Sequence, residues 1–341
     1  MKQNAAVSEP LVKTSTAEIE LCAKAIPVKE QIHNRSTWGV GKVEVLLGGE
    51  KDLENLPNIL SYTSGMFSTF NVEVGYELDS VTPTDLTQAR SQDYIFRVAE
   101  ICHRFNNFER LVMHLVGGAI VMKQSGGSAE IMHNLPEKFQ VLGKVREFLK
   151  KLDGKNEFIL LENTYPADLN SGGVVVYPCG KVSEDFVDLP RVVDTAHLAI
   201  SAATYAGVKE SGVNSSYGLF NLGEVEVPVF MGGEVSEERE FAKRSKTEGT
   251  DAAVLWQLQK STANVLEVHL CGNYNSGNRQ SDGAGFEDNS VINLKNIFQV
   301  LKSFHSGHKK LTVIPEIKEQ SGDYVTAEKQ RRMMNELKAM L

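Results

Sequence analysis

The sequence predicts a closed (β/α)8 barrel, and three observations predict it. Eight short runs rich in Val, Ile and Leu recur along the chain, segments with helical periodicity separate them, and five of the runs end in an ionisable residue. The runs are Ile19 to Lys24, Val43 to Leu47, Phe70 to Leu78, Leu111 to Leu115, Phe158 to Leu161, Arg191 to Thr195, Val265 to Leu270 and Leu311 to Ile314. Strands that alternate with helices form parallel units, because the helix carries the chain back to the starting edge. Eight such units match a closed ring; an open doubly wound sheet is the competing arrangement.

The helical segments follow in order. Thr84 is placed to cap a helix whose apolar face is Ile95, Val98, Cys102 and Phe105, at spacings of 3, 4 and 3. Pro136 suits the first turn of a second helix; Phe139, Leu142, Val145, Leu149 and Leu152 continue its face, and Gly154 can end it. Near the C-terminus Met333, Leu337, Met340 and Leu341 share one face. Two stretches exceed the minimal unit. The connection from Asp194 to His269 contains an extra strand at Val227 to Phe230 and an acidic and basic run at Glu234 to Lys246. It reads as an insertion over residues 209–264, between the sixth and seventh strands. Gly272 to Asn289 is rich in Gly, Asn, Ser and Asp and reads as a surface loop.

Composition limits the function classes. With 341 residues, 41% of them hydrophobic and 23% charged, the chain can bury a full core, which excludes disordered, collagen-like and low-complexity proteins. Residues 1–16 form a polar, loose leader, and 17–341 a single barrel domain. Lys and Arg number 36 against 44 Asp and Glu, a net charge of −8, so broad electrostatic capture of nucleic acid or of an anionic membrane is not favoured. The N-terminus lacks the apolar core of a signal peptide, and no apolar run reaches a spanning length, which predicts a cytoplasmic protein. Cys22, Cys102, Cys179 and Cys271 are far apart and read as reduced thiols.

The strand endings carry the chemistry. They are LVMH (His114), ILLE (Glu162), VVDTAH (Asp194 and His197), LEVH (His269) and VIPE (Glu316). An ionisable group at the C-terminal end of an apolar strand packs badly and is well placed for catalysis. In a closed barrel the ends converge, so Glu162, Asp194, His269 and Glu316 can face a common centre. Three carboxylates and an imidazole favour Mn²⁺, Mg²⁺ or Co²⁺, with Zn²⁺ also suited. A cation there offsets the carboxylate repulsion that would otherwise raise their pKa values. Taken singly, each ending has a plainer reading as a capping carboxylate or a hydrogen-bonded histidine.

These motifs, in this order, resemble the xylose isomerase-like TIM-barrel superfamily, which includes sugar isomerases, epimerases and endonuclease IV. The likeness runs over roughly residues 19–318 and rests on His114, LLENT, DTAH, VHL with its Gly/Asp-rich loop, and the last-strand Glu. It implies a divalent metal on Glu162, Asp194, His269 and Glu316, with Glu162 and Glu316 as the acid/base pair and His197 binding a substrate oxygen. On this reading the substrate is a small polyhydroxylated molecule, isomerised or epimerised by metal-assisted proton transfer. The alternative is an endonuclease IV-like phosphodiesterase acting on abasic DNA or another phosphoester, with His114, His197 and Asp282 holding further metal ions. Two histidines of that larger set are missing: the third strand has none, and Ala284 stands two residues after Asp282.

A third reading is a barrel without catalysis that serves as a binding module. The insertion and the C-terminal helix would be its interaction surfaces, and would equally suit a homo-oligomer. The remaining features have plainer readings. Gly39-Val40-Gly41-Lys42 lacks the rest of a phosphate loop and reads as a tight turn entering a strand. His305 and His308 read as a turn on the face away from the mouth. Cys179 and Cys271 match no nucleophile pattern, although Cys271 is placed to approach the pocket.

Overall fold

The structure, a computed structural model, describes residues 18–79, 82–114, 120–125, 128–129, 138–154, 158–165, 167–168, 173–176, 188–210, 216–222, 225–260, 264–276, 279–303, 310–319 and 325–341. The leader, Pro136, Cys179, His305 and His308 lie outside these residues.

All eight sequence-predicted strands enter one closed parallel barrel. They are β1 (Glu18–Ala25), β2 (Lys42–Leu47), β3 (Thr69–Val74), β4 (Phe108–His114), β5 (Ile159–Glu162), β6 (Arg191–Asp194), β7 (Val265–Leu270) and β8 (Lys310–Pro315). Each pairs with its sequence neighbours, and β1 pairs with β8 through Glu18–Lys310 to Leu21–Val313, which closes the ring. The third strand stops at Val74 rather than Leu78, because Tyr76 to Thr84 turns back on itself through Leu78 N to Thr82 O and Thr84 N to Tyr76 O.

Period-two alternation divides the strand residues. Val43, Val45, Leu47, Phe70, Val72, Val74, Leu111, Met113, Ile159, Leu161, Val193, Leu311 and Val313 belong to the main core beneath the helices. Val112, Leu160 and Val192, with Leu266 against them, form a separate small cluster inside the ring. A bulge between Val265 and Glu267, opposite Arg191 and Val192, places Leu266 and Glu267 consecutively on the inner side.

The covering helices are α1 (Lys29–Ser36), α2 (Leu56–Met66), α3 (Ala89–Cys102), α4 (Lys138–Leu152), α5 (Thr195–Ala206), α6 (Glu237–Thr247), α7 (Thr250–Lys260), α8 (Leu294–Lys302) and α9 (Glu328–Met340). The expected faces are present: Ile95, Val98 and Cys102 on α3, Val145 and Leu149 on α4, and Met333 and Leu337 on α9 are buried. Two details differ from expectation. Gln88 precedes α3, while Thr84 instead donates its hydroxyl to Gly75 O. Leu341 lies beyond α9 and is exposed, since nothing packs over the final residue. The Gly39 turn does enter β2, with Gly39 at φ +68°, a left-handed conformation that favours glycine.

Between β6 and β7 the chain forms α5, a three-stranded antiparallel sheet (Lys209–Glu210, Tyr217–Leu222 and Val225–Phe230), α6 and α7. Helix α5 is buried almost all round, which explains its small, apolar sequence TAHLAISAATYA. Its outer side meets a second small core in which Ala202 and Tyr205 pack with Val208, Val229, Met231, Phe241, Ala242 and Ala253. Among the described residues no helix is long and apolar enough to cross a membrane.

Candidate metal centre at the barrel mouth

Asp194 ends β6 and is also the N-cap of α5: its Oδ1 accepts from His197 N at 2.7 Å. The same capping turn projects His197 over the mouth. Asn163, one residue past β5, locks the two strand ends together, because its Oδ1 accepts from Asp194 N at 2.8 Å and its Nδ2 donates to Asp194 O at 3.2 Å. Thr195 ties β6 to the end of β7 by donating to Cys271 O at 2.5 Å and accepting from Cys271 N at 3.1 Å. Cys271 does approach the pocket, its thiol donating to Asp194 Oδ2 at 3.2 Å.

Glu162, Asp194 and His269, all fully buried, each bring a donor atom to within 4.8 Å of the others. Glu162 Oε1 is the hub, 3.3 Å from His269 Nδ1, 3.3 Å from His197 Nδ1 and 3.5 Å from His114 Nε2. Glu316, immediately after β8, places Oε2 3.0 Å from His269 Nδ1 and is 30% exposed, so it is the one carboxylate of the four that faces solvent. The four strand-end residues predicted from the sequence are therefore neighbours.

The donor set fits a divalent cation. Glu162 Oε2 is buried without a hydrogen-bond partner, an arrangement that is costly unless a cation completes it. Ligand atoms on adjacent vertices of an octahedron with bonds near 2.1 Å stand about 3.0 Å apart, and the Glu316 to His269 separation has that value. In the metal-free centre, burial pushes the Asp194 carboxyl up to about 6 despite the attraction of His197, with Glu316 and Glu162 pushing the same way. Burial also acts on Glu162, but His114 and His269 outweigh it and hold that carboxyl well below its ordinary value. Burial and Lys24 oppose the charged His269 ring, yet the Glu162 and Glu44 carboxylates raise it well above the ordinary histidine range.

The other predicted residues lie around this set. His114 Nδ1 donates to Val74 O at 3.3 Å, leaving Nε2 toward Glu162. His197 Nδ1 donates to Asn163 O at 2.8 Å, so its free nitrogen is Nε2, which faces Asp282 Oδ2 at 3.9 Å. That bond turns the lone pair of His197 away from Glu162, although His114, Glu162 and His197 are close enough to form a second ligand group. Asp282 does not lie on a simple surface loop. Gly272–Ser276 and Arg279–Ala284 pair as an antiparallel hairpin, with Asn273 buried. Gly283, at φ +90°, lets the hairpin close onto the end of β8, where a Cβ would come within 2.4 Å of Lys318 Cβ.

Several site residues were missed. Lys24, Glu44, Glu73 and Glu267 are buried on the inner side of β1, β2, β3 and β7. Their signal was a charge flanked by apolar residues within each run, AKA, VEV, VEV and LEV, which places the charge inside a barrel. Tyr76 stacks on His114 with ring centroids 3.7 Å apart, and Tyr165 lies 4.5 Å from the His197 ring. An open depression lies elsewhere, between α1 and α2, lined by Val28, Asn58, Tyr62 and Met66 among others. It gathers no metal-type ligand group among the described residues, so the chemistry belongs to the mouth.

Fold and site together define a closed eight-stranded parallel barrel whose C-terminal mouth gathers buried His, Glu and Asp groups with the geometry of a cation centre. No protein-family model matches the chain, and no curated protein matches it in sequence. Solved structures similar to it include a xylose isomerase domain protein from Planctomyces limnophilus, at TM-score 0.49 and 10% identity over 96% of each chain. Another is SacUVDE, at TM-score 0.44 and 9% identity, over 94% of this chain and 99% of that one.

Proposed function

We propose that the chain is a divalent-metal-dependent enzyme that isomerises or epimerises a small polyhydroxylated substrate by proton transfer at carbon. The observation that carries this reading is the convergence of Glu162, Asp194, His269 and Glu316 at the end of four barrel strands. Glu162, Asp194, His269 and Glu316 would hold the ion, which when bound would polarise substrate oxygens and acidify the adjacent C–H.

The chain's own residues divide the remaining work. Glu316, open to the mouth, accepts the proton from the substrate carbon and hands it back after rearrangement, with Glu162 as the second carboxylate of the acid/base pair. Lys24 donates to Glu316 Oε2 at 2.5 Å and fixes that carboxylate in place. His197 presents Nε2 to a substrate oxygen, its orientation set by the Nδ1 bond to Asn163 O. Tyr76 and Tyr165 wall the histidine side of the mouth and keep water from it.

The second reading is an endonuclease IV-like phosphodiesterase, favoured by the proximity of His114 and His197 to Glu162 and of Asp282 to His197. The third strand has no histidine and Ala284 offers no metal ligand beside those residues. Elemental mass spectrometry of the purified protein, beside Glu162→Ala and Asp194→Ala variants, separates the readings. One equivalent of Mn, Co or Zn that disappears in both variants supports the proton-transfer enzyme; three zinc ions support the hydrolase; no metal under metal-replete conditions leaves a binding module. Glu316→Gln is then expected to abolish turnover and solvent deuterium uptake at carbon in a folded protein, and retained exchange would exclude the acid/base role.

A further inference from the structure

Directly behind the outer ligand set lies a second one. Glu44, Glu73 and His269 also bring donor atoms within 4.8 Å of one another, and all three are buried to within a few per cent. His269 faces both sets: Nδ1 is directed to Glu162 and Glu316, while Nε2 lies 3.1 Å from Glu44 Oε1 and 3.5 Å from Glu267 Oε1. Glu44 Oε2 is buried without a hydrogen-bond partner. Such a group offers a divalent cation two carboxylates, and the imidazole as a third donor once Nε2 releases its proton to solvent and the ring bridges the two sets as an imidazolate. A side chain of the protein already reaches it. Lys24, 6% exposed, extends from β1 so that Nζ contacts Glu73 Oε2, lies 3.4 Å from Glu44 Oε1 and bonds Glu316 Oε2.

We propose that the Lys24 ammonium is a tethered cation that holds this second position, formed by Glu44, Glu73 and His269, and closes it to divalent metal. The barrel then exchanges metal only in the outer set, and Glu316, touched by Lys24, keeps a fixed charge beside it whether or not a substrate is present. The physical reason is local neutrality: the buried carboxylates of Glu44 and Glu73 meet the part-exposed one of Glu316 at Lys24 Nζ, and the buried pair would be unstable there without a cation within contact distance. A covalently attached ammonium cannot be lost to chelators or exchanged for another ion. Removing it leaves the carboxylates with the imidazole and an open position between them, and a divalent ion is the simplest species that restores the balance. The inference rests on the metal-centre reading above for its outer set alone; the inner position is defined by its own residues.

The test is Co²⁺ loading of the full chain, removal of free metal by desalting, and elemental mass spectrometry on the wild type, Lys24→Met, Lys24→Arg and Lys24→Met/Glu73→Gln. Lys24→Met is expected to bind one ion per chain more than the wild type; Lys24→Arg should match the wild type, and the double variant should return to the wild-type value. Folding of Lys24→Met that becomes dependent on Co²⁺ would also support the proposal. Equal stoichiometry in wild type and folded Lys24→Met overturns it, as does a Lys24→Met chain that stays unfolded with Co²⁺ present. An anomalous diffraction peak between Glu44, Glu73 and His269 in the Co²⁺-loaded wild type overturns it too. A wild type that takes up no metal at all refutes the proposed function instead, and the difference between wild type and Lys24→Met still decides the inner position.

Discussion

Replacement of Asp194 by Asn separates the folding role of this residue from its proposed role as a metal ligand. Asn retains an oxygen to accept the His197 N–H at the start of α5, so the cap, which contributes about 1 kcal/mol, survives. What changes is the buried charge. Burial raises the Asp194 carboxyl from 3.8 to about 6 in the metal-free protein, a penalty on the charged form of about 3 kcal/mol at pH 7. The native state holds the proton more tightly than the unfolded chain, so stability falls as pH rises from about 4 to about 6 and is level above that. Urea unfolding in the presence of a chelator is therefore expected to find Asp194→Asn more stable than the wild type by about 3 kcal/mol at pH 7, by about half of that at pH 5, and equal to it near pH 3. With saturating Mn²⁺ or Zn²⁺ the order should reverse, because the wild type gains binding free energy that the amide variant loses. A metal-free Asp194→Asn that is less stable than the wild type at pH 7, or whose advantage does not shrink with acid, would refute the reasoning.

Other expectations follow from packing and from the strand-end bonds. Phe70, fully buried against Phe105 and Phe108 with ring centroids 6.1 and 5.8 Å away, should cost about 3–5 kcal/mol when cut to Ala, read as a lower urea midpoint at unchanged slope. Thr195→Val keeps the shape but removes both bonds to Cys271, leaving a buried N–H and C=O unpaired; a loss of about 1–3 kcal/mol is expected by the same melt, together with weaker metal retention as Asp194 and His269 loosen. Asn163→Ala should release the Asp194 backbone while keeping the main-chain carbonyl that holds His197, with metal affinity falling about 10–100-fold in a competition titration.

The reading of the fold from sequence succeeded because each βα unit is local. Eight apolar runs with helical segments between them are visible in a window of a dozen residues, and ring closure leaves no edge to cover. The four strand-end ligand types were visible for the same reason: Glu162, Asp194, His269 and Glu316 interrupt apolar strands where packing offers no place for a charge. The inner charges of Lys24, Glu44 and Glu73 sat in equally legible patterns. They went unread because a single charge inside a strand is ordinary on a sheet with one wet face and exceptional only once both faces are known to be closed.

Chain chemistry by itself determined the number and order of strands, the mouth at which ionisable residues end, and the kind of donor they offer. Tertiary structure alone decided their partners. Which nitrogen of His197 is free depends on the Asn163 carbonyl, whose position is set by the pairing of two strand ends. Glu267 faces inward beside Leu266 only because the strand bulges against β6. The Gly/Asn-rich stretch after His269 becomes a hairpin only where the end of β8 receives Gly283. Each of these turns on distances between segments far apart in sequence, and such distances exist only once the ring has closed.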